Sequence, residues 1–454
     1  MAGYTAADDA VAGDPDRPAV TDLFRSRIDA ALSAAEPLRR GKVTGAVGLR
    51  VTVSGLEARV GELLQIGEGE DAVLAEVAAL DGDRLACLPL GPIAGLGAGS
   101  AVVSTGGPLR VAVGPDLRGR ILDGLGRPMD GGPPLKGDLV RIEAAPPSAM
   151  ERQLVDAPMS LGVRTLDTLV PCGRGQRIGI FAGSGVGKST LMSMITRGTS
   201  AELNVVALVG ERGREVREFI EHDLGPEGLA RSVVVIATSD TPPLVRLRAG
   251  AVATRIAEYY RDEGADVLMM MDSVTRTAMA QREVGLSIGE PPATRGYPPS
   301  VFAMLASLLE RAGPGARGSI TGLYTVLVEG DDHNEPIADA ARSILDGHIV
   351  LDRKLATAGH FPSIQPLDSI SRVANKITTP EQRSDATELR RMMAAHRDVR
   401  ELVEIGAYVP GTNPEADRAT ALWPQITAFL QQGLDEKVTA GEAWQALRTL
   451  IAAS

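Results

Sequence analysis

The stretch RIGIFAGSGVGKST, from Arg177 to Thr190, decides the fold of the central part of this chain. Its first residues are mostly apolar and predict a buried β-strand. A glycine-rich loop follows from Ala182 to Gly187, and apolar residues at helical spacing come after Lys188. A strand, a loop of this composition and a helix that begins with Lys-Ser are together typical of a phosphate-binding loop. We therefore predict that this segment binds a polyphosphate.

The residue types of the loop suit that chemistry. Gly183, Gly185 and Gly187 allow the backbone to turn so that successive N–H groups point into one concavity, at a helix N-terminus that attracts anions. Lys188 is placed to reach the β- and γ-phosphates, and the hydroxyl of Ser189 is placed to complete the ligand shell of Mg²⁺. The predicted binding set is Gly183, Ser184, Gly185, Val186, Gly187, Lys188, Ser189 and Thr190.

Length and composition exclude several classes of protein. A chain of 454 residues exceeds the size at which a single core stops growing, about 250 to 300 residues, so we expect two or three domains. A net charge of −11 and an aromatic content of 3% argue against nucleic-acid binding, which favours a basic face and stacking rings. The sequence contains no run of about 18 uncharged apolar residues, and its N-terminus is acidic, so it predicts a cytoplasmic protein. Cys87 and Cys172 lack metal-ligand spacing and are predicted to be buried free thiols.

Changes in pattern along the chain predict its domains. Residues 1–18 are acidic and small and are predicted to be a disordered tail, and the pattern of residues 22–32 predicts an amphipathic helix that is either a docking element or packed on its own barrel. Short β segments from residue 41 to 108 indicate a small closed barrel. A turn-rich linker spans 113–134, and from residue 176 strands alternate with helices, which predicts a mainly parallel α/β sheet. Only helical patterns follow Pro380, and two of these helices are predicted to begin at an N-cap, Asn413, and at a capping box formed by Thr439 and Glu442. The predicted units are 1–36 (tail and helix), 37–108 (barrel), 109–379 (nucleotide-binding domain with its entry linker) and 380–454 (helical domain).

Two carboxylates follow predicted strands of this sheet. Asp272 ends the apolar run 266–272, where it would lie beside the phosphate loop and hold Mg²⁺ through water. Glu211 comes directly after the strand 203–210 and is placed to polarise the water that attacks a γ-phosphate. The alternative for Glu211 is a solvated helix face, since it belongs to the charged run ERGREVRE.

Several longer motifs resemble one family. The chain contains GERGREVREF, DSVTR, ATRGYPPSVF, EGDDHNEPIAD, ILDGHIVLDRKLATAGHFP and DSISRVANKIT in addition to the phosphate loop. Over about residues 40 to 454 it is similar to the flagellum-specific export ATPases, which are relatives of the type III secretion ATPases and of the catalytic subunits of rotary ATP synthases. The resemblance implies a small N-terminal β-barrel, an α/β RecA-like P-loop ATPase domain and a C-terminal helical domain.

The resemblance also implies roles for single residues. Glu211 would be the general base, supported by Arg212, and Arg276 would belong with Asp272 to the Walker B motif. The implied catalytic residues are Lys188, Glu211, Arg212, Arg276 and Arg372, and the implied metal ligands are Ser189 and Asp272.

Three other positions bear on how ATP is held. Phe361 would stack on adenine where ATP synthases have Tyr, and Arg372 would be an arginine finger that enters the site of the neighbouring subunit. Leu434 stands where the synthases have a second aromatic, and Thr277 where the flagellar enzymes commonly have one.

The implied function is Mg²⁺-dependent ATP hydrolysis that energises the unloading and export of flagellar proteins. Non-catalytic synthase subunits have Gln at the position of Glu211, so an active subunit is expected. The alternatives are a virulence-type secretion ATPase, a proton-coupled ATP synthase catalytic subunit and an RNA-translocating hexamer, although residues 41–108 lack the aromatic side chains expected of the last.

The implied assembly is a homohexamer at the inner face of the cytoplasmic membrane, at the flagellar base. Its expected partners are a regulator bound through the N-terminal helix, a central stalk protein, the export gate and chaperone–substrate complexes, with no nucleic acid.

Overall fold

The computed structural model of the protein describes residues 40–150, 152–328 and 335–453. The predicted tail, the amphipathic helix of 22–32 and part of the EGDDHNEPIAD motif lie outside these residues. Within the described residues, no helix combines the length and the apolar character that crossing a membrane would require.

Six short strands form a closed antiparallel barrel, as predicted. Alternate residues such as Val51 and Val53 point into its core, which is the period expected of strands with one buried face. Closure leaves the sheet without an unpaired edge. The strands are β1 (Gly41–Val47), β2 (Arg50–Ser54), β3 (Glu62–Ile66), β4 (Val73–Asp81), β5 (Arg84–Pro89) and β6 (Ala101–Pro108), in the order β1-β2-β5-β4-β3-β6.

A nine-stranded sheet forms the centre of the molecule. Its order is β19-β18-β12-β17-β15-β13-β14-β8, and β16 pairs with β17. All neighbours are parallel except the pairs β16/β17 and β18/β19. The remaining pairs are β7/β9 and β10/β11. The strands are β7 (Arg110–Val113), β8 (Ile121–Asp123), β9 (Asp138–Arg141), β10 (Pro158–Met159), β11 (Cys172–Gly173), β12 (Arg177–Ala182), β13 (Leu203–Val209), β14 (Ser232–Ala237), β15 (Asp266–Asp272), β16 (Gly313–Pro314), β17 (Ser319–Leu327), β18 (Gly347–Val350) and β19 (Ile370–Ser371).

Helices cover both faces of this sheet. In β13, Val205 and Ala207 belong to one core, whereas Val206 and Leu208 belong to the other. Burial on both faces explains why the strands are continuously apolar instead of alternating. The helices are α1 (Arg164–Leu169), α2 (Lys188–Gly198), α3 (Gly213–Glu218), α4 (Gly225–Ala230), α5 (Pro243–Asp262), α6 (Val274–Ser287), α7 (Pro299–Glu310), α8 (Pro336–Ile344), α9 (Arg353–Thr357), α10 (Ala374–Ile377), α11 (Pro380–Glu404), α12 (Pro414–Leu430) and α13 (Ala440–Ala452).

The segment 113–134 differs from the prediction. It was expected to be a turn-rich linker, but its residues Ile121–Asp123 form β8 and pair in parallel with β14 at the edge of the central sheet. Three residues are too few to give a periodic pattern in sequence. The strand forms because the edge of β14 offers unpaired backbone groups.

Two of the C-terminal helices begin at the predicted caps, Asn413 and Thr439, and the third begins at Thr379, which was not predicted. Thr379 and Thr439 each form a capping box, with Gln382 and Glu442 respectively, and the side chain of Asn413 caps α12. These side chains satisfy backbone N–H groups that a helix start leaves unpaired. The helix α12 continues through Pro424. Both cysteines are buried and free, as predicted.

Candidate active site

The phosphate loop lies between β12 and α2, at the carboxyl edge of the sheet. Gly185 and Gly187 have φ values of 73° and 89°, which is the left-handed region that residues with a side chain rarely adopt. Gly187 is also the N-cap of α2 and supplies no side-chain hydrogen bond to its first turn. The N–H groups at this helix start are therefore available to an anion, and the aligned peptide dipoles favour one.

Lys188 lies between two carboxylates. Its Nζ is 3.4 Å from Oε1 of Glu211 and forms a closer ion pair with Oδ1 of Asp272. Glu211 follows β13 and Asp272 ends β15, and these strands are parallel neighbours in which Leu208 pairs with Asp272. Adjacent parallel strands bring their carboxyl ends to one edge of the sheet, which explains how residues 61 positions apart in sequence converge (272 − 211).

Burial and charge shift the acidity of this cluster. Burial, the negative charge of Asp272 and, to a smaller extent, Glu215 together raise the pKa of Glu211 to about 7, although the positive charge of Lys188 opposes this rise. Burial alone would lower the pKa of Lys188, but the charges of Asp272 and Glu211 outweigh it and the net shift is upward. Lys188 therefore stays cationic, whereas Glu211 can gain or lose a proton near neutral pH.

Asp272 is held from a neighbouring strand. Oγ1 of Thr325 in β17 donates a 2.7 Å hydrogen bond to Oδ1 of Asp272, and both side chains are buried. The next residue, Ser273, caps α6 by accepting a hydrogen bond from the backbone N–H of Arg276 at 3.2 Å. The carboxylate thus has a fixed orientation, and sequence reasoning did not identify Thr325 as its support.

Arg276 and Arg212 both line the cavity above the phosphate loop, in different environments. The aliphatic part of the Arg276 side chain packs closely on Gly210. Any other residue at position 210 would place its Cβ only 2.8 Å from Cβ of Arg276. Nε of Arg276 is buried and has no hydrogen-bond partner among the described residues. Arg212 is 83% exposed and pairs with Glu215 at 3.3 Å instead of with Glu211.

The opposite wall of the cavity comes from the segment after β18. Phe361 is 41% exposed, and its ring packs against Gly187 of the phosphate loop. A Cβ atom at position 187 would lie only 3.2 Å from the ring. Two further residues of this segment, both missed from sequence, contact the loop backbone: Nη1 of Arg353 donates to the Ser184 carbonyl at 3.0 Å, and Oγ of Ser363 donates to the Val186 carbonyl.

The cavity has a volume of about 730 Å³, enough for a nucleotide triphosphate. The loop residues from Gly183 to Thr190 line it, with the exception of Val186, which is buried behind the loop. Asp272 lies behind Lys188 and does not itself line the cavity.

Several predicted residues lie elsewhere. Arg372 is not among the residues that line this cavity. Its side chain is exposed, and it follows β19 at the end of the sheet where β12 begins. The carbonyl of Leu434 accepts a hydrogen bond from Arg197 at 2.9 Å, and Leu434 does not line the cavity either. Thr277 is buried in α6 and bonds to the Ser273 carbonyl at 3.2 Å.

The donors present fit a metal ion that arrives with a phosphate ligand. Within the described residues, no group of three or more His, Cys, Asp or Glu side chains could hold a metal by itself. The Ser189 hydroxyl and the Asp272 carboxylate are hard oxygen donors, and Mg²⁺ commonly takes one or two protein oxygens together with substrate phosphates. This arrangement can bind a metal–triphosphate complex and place the half-buried carboxylate of Glu211 beside its terminal phosphate.

Comparison with protein families gives two matches. The model described as ATP synthase alpha/beta family, nucleotide-binding domain, matches residues 162–371. The model described as T3SS EscN ATPase C-terminal domain matches residues 378–449.

Individual proteins are similar over nearly the whole chain. A flagellum-specific ATP synthase of Bacillus subtilis is 51% identical over 91% of this chain and 95% of its own length. A type 3 secretion system ATPase of Xanthomonas euvesicatoria is 48% identical over 92% of this chain and 96% of its own. The solved structure of the assembled ATPase EscN from enteropathogenic E. coli superimposes with a TM-score of 0.86 at 45% identity, covering 90% of this chain and all of that one.

Proposed function

This chain belongs to the ATP synthase alpha/beta family, in the branch of the flagellum-specific and type III secretion ATPases, and from that premise we propose that it hydrolyses ATP to energise the unloading and export of flagellar proteins. The observation that carries the proposal is the convergence of Lys188, Glu211 and Asp272 at the phosphate loop. A site that only bound nucleotide would have no use for a half-buried carboxylate with a pKa of about 7 at this point. Flagellar relatives predominate among the most similar proteins, which favours flagellar export over virulence secretion.

The residues of the site divide the work of phosphoryl transfer. The loop N–H groups and Lys188 hold the β- and γ-phosphates, and Glu211 accepts a proton from the attacking water. Arg276, whose buried Nε has no partner among the described residues, is placed to approach an anion in the cavity. Mg²⁺ held by Ser189, and by Asp272 through water, would neutralise charge on the phosphates when bound. Phe361 supplies a flat apolar surface for adenine.

Arg372 acts on the site of a neighbouring subunit. It lies beside the start of β12, whereas the phosphate loop follows the end of that strand. Five residue steps at about 3.3 Å each separate these ends by about 17 Å. An arginine side chain is too short to cover the length of β12 and also reach into the phosphate loop beyond it. Arg372 is therefore out of reach of the phosphates of its own subunit. A ring, and specifically a homohexamer, brings it to the next site, where a guanidinium stabilises transition-state charge.

A ring of this kind would have protein partners. An EscN structure in complex with its central stalk EscO superimposes on this chain with a TM-score of 0.85. We infer a corresponding central stalk here, together with a regulator on the N-terminal helix, the export gate and chaperone–substrate complexes. The ring would stand at the cytoplasmic face of the membrane at the flagellar base, without nucleic acid. Proton-coupled ATP synthesis is the competing function and would require companion synthase subunits.

The Lys188→Ala variant tests the proposal. It removes the phosphate-binding cation, which is also the partner of the buried Asp272 carboxylate, so thermal unfolding of the variant is measured alongside its activity to establish that it folds. ATP hydrolysis should fall at least about a hundredfold, and a strain that carries only this variant should lose export of flagellar proteins. Hydrolysis within about twofold of the parent would refute the site. Loss of hydrolysis with normal export would refute the coupling.

A further inference from the structure

We propose that Asp346 and Gln176 are positioning residues that hold Arg372 in place for the neighbouring site. The inference rests on the proposed role of Arg372 between subunits. Neither residue contacts the phosphate cavity; they act through the backbone of the segment that carries Arg372.

The backbone at Arg372 is fixed by one carbonyl. The N–H of Arg372 donates to the carbonyl oxygen of Asp346 at 2.9 Å. Nε2 of Gln176 donates to the same oxygen at 3.0 Å and to Oγ of Ser371 at 3.1 Å. Gln176 therefore links the backbone at Asp346 to the segment that carries Arg372. Gly347 allows the close approach, because a Cβ there would lie 2.5 Å from the carbonyl oxygen of Ile370.

The carboxylate of Asp346 anchors this point to the start of β12. It accepts hydrogen bonds from Arg177 at three atoms: the backbone N–H at 3.1 Å, Nε at 3.0 Å and Nη2 at 3.2 Å. The N–H of Asp346 donates in return to the Arg177 carbonyl at 2.8 Å. Arg177 is further held by Glu310 at 2.6 Å. A fork-shaped guanidinium bound at two nitrogens fixes direction as well as distance.

The anchor matters because the Arg372 side chain has little support of its own. The side chain is exposed, and within the described part of the chain its guanidinium makes one hydrogen bond, from Nη2 to the Arg342 carbonyl at 3.3 Å. The orientation of the Arg372 side chain therefore depends on the position of its own backbone. A catalytic group displaced by about 1 Å can lose about a hundredfold in rate. Since β12 leads from Arg177 into the phosphate loop, this strand carries the subunit's own loop at one end and anchors, through Asp346, the Arg372 segment at the other.

The variant Asp346→Asn tests this inference. Asparagine keeps the size of the side chain but removes its charge, and Arg177 keeps Glu310 as a partner. We expect kcat to fall about 10- to 100-fold with ATP affinity within about twofold of the parent. Asp266→Asn is the matched control, because Asp266 binds Arg174 and Ser319 at the same end of the sheet and, among the described residues, has no hydrogen bond or ion pair to the Arg372 segment. Its kcat should therefore stay within about twofold.

Mixing separates a positioning role from damage to the subunit's own site. Lys188→Ala subunits keep an intact Asp346–Arg372 segment, so they should restore activity to Asp346→Asn subunits in a mixed ring. Damage through β12 to the mutant's own phosphate loop would not be restored, and that outcome, with subunit exchange confirmed, would overturn the inference. So would an unchanged kcat in Asp346→Asn. If this variant does not fold, Gln176→Ala is mixed in the same way. A fully active Arg372→Ala variant would instead overturn the proposed role of Arg372 itself.

Discussion

The pH dependence of hydrolysis follows from the position of Glu211. Its carboxyl has a pKa of about 7, so it is protonated below that pH and unable to accept a proton from water. The fraction in the basic form is about 0.09 at pH 6 and about 0.91 at pH 8, a ratio of about ten. A glutamate with an ordinary pKa near 4.3 would be almost fully ionised at both pH values and would give almost no change. The site therefore predicts that kcat/KM rises about tenfold from pH 6 to pH 8.

The assay is steady-state ATP hydrolysis at saturating Mg²⁺, with nucleotide affinity and thermal unfolding measured at each pH. These controls separate ionisation of Glu211 from changes in the substrate or the fold. The Glu211→Gln variant should bind ATP normally, lose about 10²- to 10⁴-fold in rate and show no acid limb near pH 7 in its residual activity. An acid limb below about pH 5, or the same limb in Glu211→Gln, would refute the assignment of Glu211 as the base.

Two further predictions concern the adenine wall and the core. Phe361→Ala should weaken ATP binding by about 1 to 3 kcal/mol with little change in kcat at saturation, and Phe361→Tyr should restore it; equal affinity in all three proteins, measured by nucleotide titration, would contradict the stacking role. Glu258→Gln should lower the free energy of unfolding by about 3 to 5 kcal/mol, because Glu258 and Arg311 form a pair at 2.7 Å with side chains only 2% and 5% exposed. Urea denaturation measures this loss, and a change below about 1 kcal/mol would show that the pair is not critical.

The sequence was sufficient where local pattern and topology agree. The phosphate loop is contiguous, and Glu211 and Asp272 each follow a strongly apolar run, so parallel pairing alone predicts that they meet. The helix cap at Thr439 is likewise local, since it involves residues three positions apart. Such features need no knowledge of the tertiary fold.

The supporting residues of the site could not be predicted in this way. Thr325 reaches Asp272 across 53 positions, Arg353 reaches Ser184 across 169 and Ser363 reaches Val186 across 177. Threonine in a buried strand and serine in a loop have many structural uses, so their type gives no signal. Only the order of strands β12, β15, β17 and β18 brings them to the loop.

Local helix geometry explains the placement of Arg212. It was expected to support Glu211, but α3 begins at Gly213 and turns Glu215 back toward Arg212, three positions away, where the two charges pair. Support of Glu211 by Arg212 stays a prediction. It would require the Arg212 side chain to move when nucleotide binds.

The most direct test of the account is a mixing experiment on the shared site. Arg372→Ala subunits keep Lys188, and Lys188→Ala subunits keep Arg372, so a mixed ring contains interfaces in which both groups are intact. Each variant alone should be inactive, since a trans-acting arginine contributes about 10³- to 10⁵-fold. We predict that ATP hydrolysis reappears when the two inactive proteins are mixed under conditions where fluorescence labelling confirms subunit exchange. A mixture that exchanges subunits and stays as inactive as its components would contradict a site shared between neighbours.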